Sequence, residues 1–131
     1  MKKEYYIGLD THKDSTAIAW AAGGSREDAT LHGECGGSNL AVERALRKVA
    51  KKLGVKLQDL HVCYEAGPTG FVLARRLLQL KVDCVVSAPT KTERKPGEKV
   101  KTDRLDAKKL ARLFRNGDIT EVRVPPARFP P

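Results

Sequence analysis

The chain has 131 residues, 40% of them apolar and 31% charged, which is enough for one hydrophobic core, too short for two domains of typical size, and unlike a disordered tail or a fibrous repeat. Its 25 Lys and Arg against 16 Asp and Glu give a net charge of +9, which points to a polyanionic partner, nucleic acid first among them. No apolar run approaches the roughly 20 residues of a membrane span, Met1-Lys2-Lys3-Glu4 opens no signal-peptide pattern, and Cys35, Cys63 and Cys84 form no CxxC pair, so a cytoplasmic protein with reduced thiols is expected, with neither disulfides nor a zinc site.

In chain order, Glu4 to Asp10 reads as a short apolar strand ending in a carboxylate, and Ser15 to Ala22 and Ala29 to Cys35 read as two more. Short Gly-containing turns between them predict an antiparallel meander, with Trp20 in the core. The period then becomes helical. Val42, Leu46, Val49 and Leu53 form an apolar stripe, Arg44, Arg47, Lys48, Lys51 and Lys52 lie off it, and Gly54 supplies the stop. Leu60 to Glu65 reads as a buried strand, Thr69 to Leu80 as a helix with Phe71, Ala74, Leu77 and Leu78 inward, and Val82 to Val86 as another strand. Residues 88 to 101 have no period, contain Pro89, Pro96 and Gly97, and read as a mobile basic loop. A last helix is predicted from about Asp103 to Arg115, stopped by Asn116-Gly117, and the tail from Val122 to Pro131 is proline-rich and linker-like. His32 and His61, inside strand-like runs, are read as structural.

Three meandering strands followed by βαβ units, with right-handed crossovers, predict an α/β fold of the ribonuclease H-like arrangement: a mixed five-stranded sheet of order 3-2-1-4-5 flanked by helices. Strands one and four then lie side by side and parallel. Asp10 ends the first and Glu65 the fourth, so both carboxylates come to one sheet edge, on strands about 4.8 Å apart and near enough to share a divalent cation. Asp103 and Asp106 are expected at i and i+3 of the last helix, on one face, extending the stripe of Leu110 and Leu113. Four converging carboxylates repel one another and resist desolvation, and a hard divalent cation resolves the conflict. Mg²⁺, or Mn²⁺ as a substitute, suits such an all-oxygen site in phosphodiester cleavage. Blander readings stand beside this one. Asp103 could cap its helix with Asp106 at N3, and Asp10 could simply close a turn. Glu65, before Ala66-Gly67-Pro68, has no obvious packing role.

His12 and Lys13 follow the first carboxylate, where they could meet a phosphate or merely face solvent. Residues 71–131 hold 15 basic and 7 acidic side chains, against 10 and 9 in residues 1–70. The excess therefore falls on the loop with Lys91, Arg94, Lys95, Lys99 and Lys101, which could track phosphates or simply be exposed, and on the last helix, where Lys108, Lys109, Arg112 and Arg115 flank the acidic pair. Aromatic residues are 5% of the chain, so backbone and shape contacts are favoured over base stacking.

Three blocks carry a family resemblance: Tyr6-Ile7-Gly8-Leu9-Asp10-Thr11-His12-Lys13-Asp14, Tyr64-Glu65-Ala66-Gly67-Pro68-Thr69-Gly70, and Lys101-Thr102-Asp103-Arg104-Leu105-Asp106-Ala107-Lys108-Lys109-Leu110-Ala111. In this order they resemble the N-terminal domain of the DEDD transposases of bacterial insertion sequences, the group numbered one hundred and ten, over most of the chain. The resemblance implies a domain like the Holliday-junction resolvase RuvC, spanning residues 1–121, with Asp10, Glu65, Asp103 and Asp106 as a Mg²⁺-binding catalytic tetrad. It implies DNA as substrate, a structured guide RNA, homo-oligomers and no membrane. It also implies that residues 122–131 lead toward a C-terminal transposase domain outside this chain, without which activity is expected to be weak or lost. The rivals are a non-catalytic nucleic-acid-binding module of the same fold, a stand-alone resolvase, and a fragment of an actin-like ATPase, whose first phosphate segment Gly8-Leu9-Asp10 resembles.

Overall fold

A computed structural model describes residues 3–67, 70–92, 101–103 and 106–125, with the backbone alone at 90–92 and 101–103. Strands β1 (Tyr5–Thr11), β2 (Ser15–Ala22) and β3 (Thr30–Gly36) form the expected antiparallel meander, and helix α1 (Asn39–Leu53) follows. A 3-10 turn (Leu57–Asp59), β4 (Leu60–Glu65), α2 (Val72–Gln79) and β5 (Asp83–Ser87) complete the βαβ portion. After a two-stranded pair, β6 (Thr90–Thr92) with β7 (Lys101–Asp103), come α3 (Ala107–Asn116) and β8 (Glu121–Val122).

The main sheet has the order β3-β2-β1-β4-β5-β8. β1 and β4 are parallel, as are β4 and β5. This is the ribonuclease H-like arrangement predicted from the sequence, 3-2-1-4-5, with a sixth strand added antiparallel to β5 through Val86↔Val122 and Ser87↔Glu121. Two residues carry no readable period, which is why β8 escapes a sequence reading.

α1 and α2 cover one face of the sheet, where Ile7, Leu9, Val62, Tyr64 and Val86 meet Val42, Leu46, Val49, Leu73 and Leu77 in the main core. α1 starts where Ser38 accepts a hydrogen bond from Ala41 N (3.1 Å) and ends at Gly54, whose φ of 71° suits the residue without a side chain. In α2, Ala74 and Leu77 face inward as expected, but Leu78 is 43% exposed and Leu73 is buried in its place. Successive helical residues diverge by about 100°, so Leu77 and Leu78 cannot both face the sheet. Trp20 is half-buried at the margin of the core rather than within it, edge-on to Tyr5.

α2 begins without a side-chain cap at Phe71. Tyr64, fully buried in β4, substitutes from across the core: its hydroxyl accepts from Ala74 N (3.3 Å), one of the first-turn amides, and donates to Gly70 O (2.8 Å). The loop that follows Glu65 is thereby fastened to the sheet. Tyr64→Phe keeps the packing but loses both bonds, and thermal or denaturant unfolding should show a loss of about 1–2 kcal/mol.

Glu43 of α1, buried to 8% exposure, joins the two helices by accepting from Arg76 of α2 (3.4 Å) and Arg47 (3.3 Å). Burial works against its charge, but the two guanidiniums outweigh that and hold its carboxyl below the ordinary value of 4.5. Because the folded value is lowered, the unfolded chain binds more protons in that range. The contribution to stability is therefore complete above 4.5 and disappears as pH falls through the lowered value. Both arginines are half-exposed, so Glu43→Gln should cost about 1 kcal/mol at neutral pH. Melts of the two proteins should converge in acid.

Candidate metal centre

The register Leu9↔Tyr64 between β1 and β4 continues one step to place Asp10 beside Glu65, on strands about 4.8 Å apart. Side chains alternate between faces. Ile7 and Leu9 enter the main core, so Gly8 and Asp10 face the other way, as do Cys63 and Glu65 on β4. Among the described residues, that second face is covered by α3, with Ile119 beyond its end. Asp10 keeps 17% of its side chain exposed, and its Oδ2 lies 3.2 Å from Nε2 of His12, which is half-exposed in the turn toward β2. Lys13 is exposed in the same turn.

Gly8 decides where α3 sits. A Cβ built there would lie 2.3 Å from Ala107 O, 2.5 Å from Ala111 N and 2.9 Å from the Leu110 Cβ. Only a residue without a side chain lets the helix backbone come this close. At the other end of the helix, the rings of Phe114 and Tyr6 meet edge-on at 5.3 Å. α3 therefore runs antiparallel to β1, with its N-terminus toward the edge that carries Asp10 and Glu65.

Asp106 caps that N-terminus, accepting from Lys109 N at 2.7 Å. The expectation of a helix from Asp103 is corrected: α3 begins at Ala107, and Asp103 lies in β7, paired with Thr90. Asp is a poor helix-interior residue and a strong cap, so the nearer aspartate takes the cap. Asp103 and Asp106 thus do not share a helical face. Thr90 follows soon after Ser87, the end of β5 and the register partner of Glu65, so the backbone of Asp103 returns to the same end of the sheet. Among the described residues, no group of three His, Cys, Asp or Glu stands close enough to hold a metal; the side chain of Asp103 lies outside that description.

The predicted basic loop is also revised. Its ends, Thr90–Thr92 and Lys101–Asp103, pair as strands, with Lys91 opposite Thr102 and Lys101 opposite Thr92. Thr90, Thr92 and Thr102 are the β-branched residues that favour strand over coil here. Arg94, Lys95 and Lys99 fall outside the described residues. On α3, Lys109 is exposed, but the other cations have partners in the β2–β3 connection. Lys108 Nζ lies 3.3 Å and Arg112 Nη1 3.2 Å from the Asp28 carboxylate, and Arg115 Nη1 donates to Glu27 O at 2.6 Å. The backbone N–H of Ala29, with Lys108 and Arg112, holds the Asp28 carboxyl below its ordinary value.

A sequence reading also misses Glu121. On β8 it pairs with Ser87, the partner of Glu65, so Asp10, Glu65, Ser87 and Glu121 form one row across the sheet. Cys63, fully buried under α3, senses two of these acids: burial first, then Glu121 and Glu65, push its thiol up to about 12. Nothing in the two-residue strand signals this position before the sheet order is known.

No protein-family model matches the chain. A Sinorhizobium fredii protein named as a transposase, y4qE, is 41% identical over 123 residues, covering 94% of this chain and 30% of its own length. The transposase for insertion sequence element IS1533 of Leptospira borgpetersenii is 39% identical over 120 residues, covering 88% of this chain and 32% of its own. Both relatives carry the name transposase. The chain spans about a third of the length of these curated relatives. Among solved structures, the large terminase of a thermophilic bacteriophage superposes with a TM-score of 0.49 at 11% identity, over 66% of this chain and 23% of that one. No helix among the described residues is long and apolar enough to cross a membrane.

Proposed function

We propose that this chain is the metal-binding, DNA-processing domain of an insertion-sequence transposase of the DEDD type, in the group numbered one hundred and ten. The reading is carried by one observation: β1 and β4 are adjacent and parallel with Leu9 beside Tyr64, so the next residues, Asp10 and Glu65, come to the one edge to which Gly8 brings the N-terminus of α3. Names of the relatives support the transposition role, and the three sequence blocks support the group.

The donor set fits Mg²⁺ or Mn²⁺. Mg²⁺ is commonly held by one or two carboxylates and completes its octahedron with waters and substrate phosphate oxygens, so a pair of partly exposed carboxylates suits it without a third close ligand. Asp10 and Glu65 would hold the ion, with Asp106 and Asp103 joining from the α3 and β7 side. Bound there, the ion supplies positive charge to the phosphodiester oxygens as the bond breaks. The chain's own groups do the rest. His12, whose Nε2 lies 3.2 Å from the Asp10 carboxylate, would orient that carboxylate and meet a phosphate, Lys13 would add positive charge beside it, and Lys91, Arg94, Lys95, Lys99 and Lys101 would add charge that attracts the phosphates of the nucleic acid. The group resemblance adds a structured guide RNA and homo-oligomers as partners, and action at the nucleoid.

Titration of this chain with Mn²⁺, followed by the ion's electron paramagnetic resonance, tests the reading. Saturable binding that Asp10→Asn weakens supports it. Binding indifferent to these acids leaves only a nucleic-acid-binding module of the same fold.

A further inference from the structure

A basic surface of the described residues lies on the face of the sheet opposite α3, apart from the segments that composition singles out. Residues 1–70 look nearly neutral, with 10 basic and 9 acidic side chains, yet five of those ten bases, Arg44, Arg47, Lys48, Lys51 and Lys52, sit on α1. All five are exposed. Arg44, Lys48 and Lys51 recur at i, i+4 and i+7 and so form a single stripe, flanked by Arg47 and Lys52. The only acid on the helix is Glu43, turned away from this stripe toward α2 and already engaged by Arg47 and Arg76. Among the described residues, Arg44, Lys48, Lys51 and Lys52 form no ion pair. On α3, by contrast, Lys108, Arg112 and Arg115 are engaged with the β2–β3 connection. The field of the stripe reaches its surroundings: burial first, and then Lys52 and Lys48, depress the titration of His32 on β3.

We infer that the outer face of α1 grips the phosphate backbone of duplex DNA, as a second contact on the face of the sheet opposite α3. Charge complementarity selects this occupant. From Arg44 to Lys52 the helix rises about 12 Å, a length of duplex that carries about seven phosphates, against five cations of which Arg47 alone is shared with an acid, Glu43. The stripe has no exposed aromatic residue, so it suits a paired backbone better than unpaired bases. Its position is also apt. β3 ends at Gly36, paired with Ser15, and Asp10 pairs with Ala17. α1 therefore departs from the same edge that holds the carboxylates, and DNA lying along it can continue to that edge. The choice of DNA over RNA rests on the transposase reading.

Fluorescence anisotropy of a labelled DNA duplex with this chain, across a salt series, tests the inference with the variant Arg44→Gln/Lys48→Gln/Lys51→Gln. Gln keeps helix propensity at these exposed positions; the Ala version of the same triple substitution serves as a second, independent variant. Both should bind duplex at least about tenfold more weakly at 100 mM salt, and the slope of log affinity against log salt should fall by two to three. The loss of affinity between 50 and 200 mM salt should then be smaller than in the unmodified chain by up to about 40-fold. Mn²⁺ binding should be unchanged in both, whereas Asp10→Asn should weaken Mn²⁺ binding and leave the salt slope intact. Failure of the metal reading is thus separate from failure of this one. An unchanged duplex affinity and slope in folded variants, or a loss confined to structured RNA, overturns the inference.

Discussion

On the function proposed above, Asp10→Asn should reduce metal-dependent DNA strand cleavage by at least about 100-fold, because several kcal/mol of charge stabilisation depend on a correctly held ion. The substitution preserves shape but removes one of two negative charges that the sheet places side by side. Asp10 faces the α3 side of the sheet and is partly exposed, so the fold should survive, and circular dichroism melts of this chain should stay close to those of the unmodified protein. Its Mn²⁺ affinity should fall in parallel with activity. Full activity would show that these acids are not the ligands. Asp106→Asn makes an informative comparison, because Asn also caps helices well. It should leave α3 intact and lower activity only to the extent that the carboxylate joins the ion.

Gly8→Ala should have the largest structural effect. The added methyl would meet helix backbone at Ala107 and Ala111, neither of which can rotate out of the way as a side-chain tip could. Either α3 lifts from the sheet or β1 bends, and an overpacked contact of this kind costs about 1–3 kcal/mol or more. The loss should appear in thermal unfolding. In addition, hydrogen exchange of the α3 amides should accelerate more than that of α1, because the damage is confined to one face. The N-terminus of α3 moves with the helix, so Mn²⁺ binding should also suffer, although no ligand has been changed.

Much of the fold was legible because its elements are long enough to show a period. The meander, α1, β4 and β5 each combine an apolar pattern with a Gly or Pro boundary, and the succession of elements fixes which strands neighbour which. The placing of β1 beside β4, whose last residues include Asp10 and Glu65, followed from that order alone. What could not be read depends on contacts distant in sequence. β8 exists because Val86 and Ser87 offer an open edge, not because Glu121–Val122 has strong preferences of its own. Leu78 looked like a core residue because hydrophobicity alone does not set the phase of a short helix, and the buried face is the one shared by Leu73, Ala74 and Leu77. At the candidate site, the aspartates three residues apart looked like neighbours on one helical face. The competition between capping and continuing the helix was settled at Asp106, and the β6–β7 pairing absorbed Asp103. The bases of α1 were visible off its apolar stripe, but regional charge totals average this polarised helix with its acidic surroundings and so do not mark it as a binding face.

The floor beneath α3 is made of alanines: Ala19, Ala21 and Ala29 of the β2–β3 region meet Ala107 and Ala111 of the helix. Such small side chains explain the close seat that Gly8 completes, and they also bear on synthesis at the ribosome. The meander leaves the exit tunnel long before residue 107, so this face waits uncovered while most of the chain is still being made. Methyl groups present far less greasy area than leucines would in the same places, and the nascent sheet can wait for its last helix with little on that side for another unfinished polypeptide to stick to.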